Sequence, residues 1–449
     1  MSTDAWKKAE QVFQGRTEDG DSMPKIPLWL DCDTGHDDAF AILLAAHSPA
    51  IKLLGVSTVH GNASLGHTTE NTIAVLEAIG KQDIPVCVGA AKPFCRDAVH
   101  AGTIHGESGL EGSELLPKPV TKPWTTTETI QTMYKRLKAT PKGTAYVVAT
   151  GTLTNVALLF SVYPDIVDHI KGLSIMGGAI GGLFTNAPMG RIKEDRVLFT
   201  RDVHEVFDGR LPDEEGMSLE DVVLDFRQKG LLHDGDSVSD ERIRLLLEQA
   251  RRRFGNWTEY AEFNIYCDPE SAASIFTNPK LAAKTDLITL DLSHQVLATP
   301  KILELLLYGR GGDPSTTKPS NMRIMFHELL TFFANTYETE FGMKEGPPLH
   351  DPLAVAVALA PFLFNDNKGE RFSLHVVRGE DNGIQIESSE ELERPRAPAN
   401  AEQCGRTVIQ PVKDASGVRI PRSCDVETFW LMLELALQSA EKVSPLGSS

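Results

Sequence analysis

Ile26-Pro27-Leu28-Trp29-Leu30-Asp31-Cys32-Asp33-Thr34-Gly35-His36-Asp37-Asp38-Ala39-Phe40-Ala41-Ile42-Leu43-Leu44-Ala45 joins two apolar runs through a turn, and four aspartates fall within eight residues of it. The first run suits a buried strand and the second a buried helix, so the acids sit on the connection between them. Like charges this close repel, and a fold keeps them together only with compensation. A hard divalent cation compensates most simply, because carboxylate oxygens are its preferred ligands. Ordinary capping is the plainer account: Asp31 closes the strand, and Asp37 and Asp38 favour the positive end of the helix. That explains one or two acids; four strain it, since surplus buried carboxylates are costly without a partner.

Working outward, strand-like and helix-like segments alternate. Leu53–Val59 is apolar and β-branched, and Thr72–Ile79 has helical spacing closed by Gly80. Ile84–Val88, Tyr146–Ala149 and Leu173–Ile175 are again strand-like. Such alternation predicts βαβ units: an α/β, Rossmann-like, mostly parallel central sheet flanked by helices. Ligands of such sheets bind beyond the carboxyl ends of the strands. Asp33, His60-Gly61-Asn62, Thr150-Gly151 and Met176-Gly177-Gly178 all lie there.

Residues 1–25 are polar and charged and read as a flexible tail, 26–440 as one domain, and 441–449 as a second tail. The domain is interrupted at about 191–254 by a stretch dense in both charges, read as an insertion, part disordered and part exposed helix, or as a docking element. Ser373–Ser389 and Thr407–Val412 look like hairpin strands, and Val426–Ala440 like a helix capped by Asp425.

The 449-residue chain is 41% hydrophobic, ample for a sizeable core. Its net charge of -18 and pI near 5.2 argue against nucleic acid or an anionic membrane as partner. No apolar stretch reaches spanning length, and the six cysteines show no Cys-x-x-Cys pairing, so free thiols in a soluble cytoplasmic protein are expected.

Other segments offer site chemistry. The glycine turn in Thr150-Gly151-Thr152-Leu153-Thr154-Asn155 can aim a carbonyl outward as an oxygen ligand, although Gly-Thr turns are common. Thr103-Ile104-His105-Gly106-Glu107-Ser108-Gly109 carries a loop histidine, more often an ordinary polar contact than a catalyst. Ala261-Glu262-Phe263-Asn264 would place Glu262 and Asn264 on one face if extended, suited to sugar hydroxyls or simply to a solvated edge. His350-Asp351-Pro352 opens an apolar helix, either as plain capping or as a further ligand beside a proton donor.

In this order, the segments resemble the inosine/uridine-preferring nucleoside hydrolases, most closely their fungal uridine-nucleosidase branch. The resemblance runs from about Ile26 to Ala440 and rests on the acidic turn, Val59-His60-Gly61-Asn62, Ile104–Gly109, Thr150–Asn155, Met176-Gly177-Gly178, Gly255–Asn264 and His350-Asp351-Pro352. It implies the nucleoside hydrolase fold and cleavage of ribonucleosides, uridine above all and also inosine, to base and ribose. It further implies a Ca²⁺ held by Asp33, Asp38, Asp351 and the Thr150 carbonyl, with Asp33 also deprotonating the attacking water. Asp37, Asn62, Asn256, Glu262 and Asn264 would grip the ribose hydroxyls, with Met176 nearby. His350 would protonate the leaving base, and His105 and Phe333 would line its pocket. Related enzymes are homodimers or homotetramers. The chemistry agrees: N-glycoside cleavage builds positive charge on the ribose, which surrounding carboxylates stabilise. The motif departs at Thr34, where family members commonly have proline, and at the insertion between Met176 and Asn256.

Two rivals remain at this stage. A haloacid-dehalogenase-type phosphatase would use Asp31-Cys32-Asp33-Thr34 and the acidic run Gly235-Asp236-Ser237-Val238-Ser239-Asp240, but the latter does not follow a buried strand. A catalytically silent nucleoside-binding protein would keep the fold without turnover.

Overall fold

The computed structural model describes residues 2–17, 19–181, 184–185, 187, 255–258, 260–378 and 403–447. The expected insertion at 191–254, the 235–240 acidic run and the 379–389 part of the expected hairpin lie outside them.

β1 (Ile26–Cys32), β2 (Ile51–Thr58), β3 (Val86–Val88), β4 (Tyr146–Ala149), β5 (Gly172–Met176) and β6 (Thr285–Ile288) form one parallel sheet in the order β3-β2-β1-β4-β5-β6. β1 is central and buried on both faces, which is why it reads as an unbroken apolar run. Its side chains still alternate. Leu28 and Leu30 join the core under helices His36–His47, Asp351–Leu359 and Val426–Glu441. Trp29 points into the opposite core, which helices Thr129–Lys138, Thr154–Val162 and Pro269–Phe276 share. The chain runs outward from β1 to β3, then returns to β4 on the other side of β1. The crevice beyond the carboxyl ends of β1 and β4 is therefore the topological switch point, where such sheets bind ligands.

Arg371–Val376 and Thr407–Val412 pair antiparallel away from the main sheet. Helix Val426–Glu441 starts at Asp425, whose carboxylate accepts from Thr428 N–H at 3.1 Å.

The start of the chain differs from the expected tail. Thr3–Gln14 is a helix, capped by Ser2 and ended by Gly15 in the left-handed region at φ 64°. Ala9, Val12 and Phe13, spaced three and four apart, bury one stripe against the carboxyl-terminal helix, and Lys8 pairs with Asp425 at 2.7 Å. The polar residues around that stripe hid it. At the other end, Ser444 donates to the Ala78 carbonyl at 2.6 Å, so this part of the expected second tail also docks.

Candidate active site

Four carboxylates meet in the crevice. Asp33 follows β1 directly, and Asp37 and Asp38 open the helix His36–His47. Asp351 opens Asp351–Leu359, whose Pro352 pre-sets the first turn. All four are buried, and Asp37, Asp38 and Asp351 offer oxygens within 4.8 Å of one another. Asp38 accepts from Gly35 N–H at 2.9 Å, the Asn62 amide at 3.3 Å and the Thr150 hydroxyl at 2.7 Å. Asp33 Oδ2 accepts from Asn62 N–H at 2.8 Å, while its Oδ1 is enclosed without a partner among the described residues. Gly61 permits this approach: a Cβ there would lie 1.9 Å from Asp33 Oδ2.

Among the described residues no lysine or arginine pairs with these four acids. Burial, then the charge of Asp38, pushes Asp33 well above the usual carboxylate range. Burial and the Asp38 charge likewise push Asp37 up to about 7. Asp351 rises well above its ordinary value through burial and its neighbours Asp37, Asp38 and Asp33, and hydrogen-bonds to Asp37. Burial also raises Asp38. Such a group must either keep protons or hold a cation. The orphaned Asp33 oxygen and an all-oxygen donor set fit a hard dication.

Above this floor lies a cavity. Asp37, Asn62, His105, Thr150, Met176, Asn256, Glu262, Asn264, Phe333, His350 and Asp351 line it; Asp33 and Asp38 lie beneath. Every site residue that the resemblance implies is thus brought together. Two are held differently from the simplest reading. Residues 261–264 are not extended: Glu262 caps the short helix Phe263–Cys267, accepting from the backbone N–H groups of Asn264, Ile265 and Gly178 at 2.8, 3.0 and 2.9 Å. Asn264 donates to the Thr150 carbonyl at 2.8 Å, aiming that oxygen and leaving it a second lone pair.

At the other end of the cavity stands an aromatic wall. His105 stacks on Phe333 with ring centroids 5.5 Å apart and shares a 3.0 Å contact with His36. Burial holds His36 down to about 4. Burial, with His36 and His350 beside it, keeps His105 well below its usual range. His350 has both ring nitrogens engaged, Nδ1 with the Ser293 hydroxyl and Nε2 with the Tyr337 hydroxyl, each at 2.7 Å. Burial, then His294, keeps it neutral. Tyr337, Trp257 and Phe341 line the cavity as well, and sequence reasoning missed them. The available signal was spacing: Phe333, Tyr337 and Phe341 recur every four residues on the helix Asn321–Phe341, one face of it.

The chain matches the model of the inosine-uridine preferring nucleoside hydrolases over residues 28–431. It belongs to that family. It is 30% identical to uridine nucleosidase of Saccharomyces cerevisiae over 430 residues, 95% of this chain and 100% of the yeast protein. It is 31% identical to a pyrimidine-specific ribonucleoside hydrolase of Citrobacter koseri over 339 residues, 76% of this chain and 81% of that one. In fold it is similar to a purine-preferring ribonucleoside hydrolase from Gardnerella vaginalis, with TM-score 0.61, 21% identity and coverage of 93% and 99%. This nucleoside hydrolase is accordingly an enzyme that cleaves the N-glycosidic bond of ribonucleosides. The phosphatase alternative falls here. Asp31, which would open its motif, points back into the sheet and is held by Ser57 and by Asn155 at 2.8 Å, and burial pushes it up to about 7. Thr34 replaces proline without loosening the turn: its hydroxyl bonds Thr72 at 2.6 Å and its carbonyl accepts from Asn71 at 3.1 Å.

Proposed function

We propose that this nucleosidase is Ca²⁺-dependent and prefers uridine, with inosine and other ribonucleosides as secondary substrates. The single observation supporting it is the convergence of the buried carboxylates and the neutral aromatic wall on one cavity. Asp33, Asp38, Asp351 and the Thr150 carbonyl would hold the ion, which supplies Lewis-acid activation of water when bound. Asp33 Oδ1, a buried carboxylate oxygen without a partner among the described residues, takes the proton of the attacking water. Asp37, Asn62, Asn256, Glu262 and Asn264 receive the ribose hydroxyls, with Met176 against the ring. As charge develops on the sugar, the surrounding carboxylates stabilise it.

His350 serves the leaving base through Tyr337, since that hydroxyl occupies its Nε2. Tyr337→Phe should therefore lower kcat on uridine by about 10²-fold, while p-nitrophenyl riboside, whose leaving group needs no proton, loses far less. Equal losses on both substrates would remove Tyr337 and His350 from leaving-group protonation.

The yeast and Citrobacter relatives, named for uridine and for pyrimidine ribonucleosides, support the base preference. No helix among the described residues is long and apolar enough to cross a membrane, in keeping with a cytoplasmic location. A homodimer or homotetramer is the assembly proposed, readable by light scattering. The deciding assay is reducing-sugar release from a nucleoside panel, before and after chelation and Ca²⁺ repletion. Undiminished turnover in chelator would sink the metal dependence, and faster cleavage of purine nucleosides would sink the uridine preference.

A further inference from the structure

Gly35 leaves room beside the acidic turn: a Cβ there would meet His105 Nδ1 at 2.7 Å. His105 uses that gap to reach His36, with the two Nδ1 atoms 3.0 Å apart. Nitrogens at this separation share one hydrogen, and the surroundings of His36 decide which ring owns it. His36 Nε2 lies 2.7 Å from the Glu111 carbonyl oxygen. A carbonyl only accepts, so Nε2 carries the hydrogen. The ring is fully enclosed and stacked on Phe332 and Phe333 at 5.1 and 5.6 Å, and among the described residues no carboxylate is hydrogen-bonded to it. Such surroundings hold a neutral imidazole, which leaves His36 Nδ1 bare. His105 must then donate from Nδ1. Its own lone pair falls on Nε2, which has no protein partner among the described residues, on a ring that lines the cavity.

We infer that the Glu111–His36–His105 chain makes His105 a hydrogen-bond acceptor in the base pocket, selecting nucleosides whose base presents an N–H there. His36 is the positioning residue, acting only through His105. The inference rests on the uridine reading above. In uridine the sole hydrogen-bond donor of the base is N3–H, so His105 Nε2 is its partner. A base alkylated at N3 would leave that nitrogen facing a methyl group, its lone pair desolvated and unpaired.

Two measurements on the full-length enzyme test this. Nitrogen-15 NMR of histidine-labelled protein should show His105 protonated on Nδ1 and bare on Nε2; the opposite tautomer overturns the inference without reference to activity. Separately, kcat/KM is compared for uridine, N3-methyluridine and p-nitrophenyl riboside. Wild type should favour uridine over N3-methyluridine by roughly 10-fold or more. His36→Phe keeps the stack but removes the Nδ1 acceptor, and should bring that ratio towards unity. His105→Leu should abolish the preference and His105→Gln, whose amide oxygen accepts, should retain part of it, so the test survives if His36→Phe fails to fold. Equal rates in wild type, or a preference that persists in His105→Leu and is therefore steric, overturn the inference. Cleavage of p-nitrophenyl riboside in those cases leaves the nucleosidase reading standing, whereas failure on all three substrates indicts that reading instead.

Discussion

Asp37 and Asp38 are chain neighbours with different proposed tasks. Asp38 is gripped by Gly35, Asn62 and Thr150 and sits beneath the cavity, while Asp37 lines it. A rigid, enclosed carboxylate suits an ion, and one facing the cavity suits a sugar hydroxyl. Added Ca²⁺ at about a hundred times its Kd should stabilise wild type by about 2.7 kcal/mol in denaturant melts. Asp38→Asn should lose that increment. Asp37→Asn should keep most of it yet lose about 10²-fold in kcat. The reverse pattern would exchange the two roles.

The helix His36–His47 carries the acids at one end and a buried histidine at the other. His47 bonds the Ile79 carbonyl at 2.9 Å, and burial, then the Lys81 charge, lowers it to about 4. Its folded value lies below the ordinary 6.5, so the unfolded chain takes the proton first. The stability it confers is complete above about pH 6.5 and drains away as pH falls towards 4. His47→Gln should therefore flatten the drop in Tm between about pH 7 and pH 5; an unchanged slope would show that other groups govern the acid limb. At the carboxyl-terminal helix, Asp425 caps the first turn and accepts from Thr428. Asp425→Ala should cost about 1 kcal/mol in urea unfolding, with turnover intact because the cap is remote from the cavity lining.

The molecule as a whole is closed by its ends. The helix Thr3–Gln14 lies on Val426–Glu441, which packs in turn on His36–His47. Phe13 is 2% exposed, so Phe13→Ala should cost about 3–5 kcal/mol. A loss under ~1 kcal/mol, the scale of surface substitutions, would mean that this helix contributes little. Further in, Arg323 and Glu434 form a buried ion pair at 2.8 Å tying Asn321–Phe341 to the carboxyl-terminal helix. That ties the wall bearing Phe333 and Tyr337 to the core, so the aromatic end of the cavity is built on packed helices.

The amino-acid order alone determined the strand-to-helix turn with its four acids, the parallel sheet, and the loops beyond β1, β2, β4 and β5 that supply donors. These are local properties: apolar runs, glycine turns and a proline in a first turn each act within a few residues. Tertiary structure alone decided the partnerships. His350 meets Tyr337 across 13 positions and Ser293 across 57, and His36 meets His105 across 69. No periodicity encodes such pairs, because they arise only when separate helices pack at fixed distances. The same holds for Glu262, whose carboxylate also accepts from the Gly178 amide just past β5, and for the first helix, whose apolar stripe has meaning only against the surface that covers it.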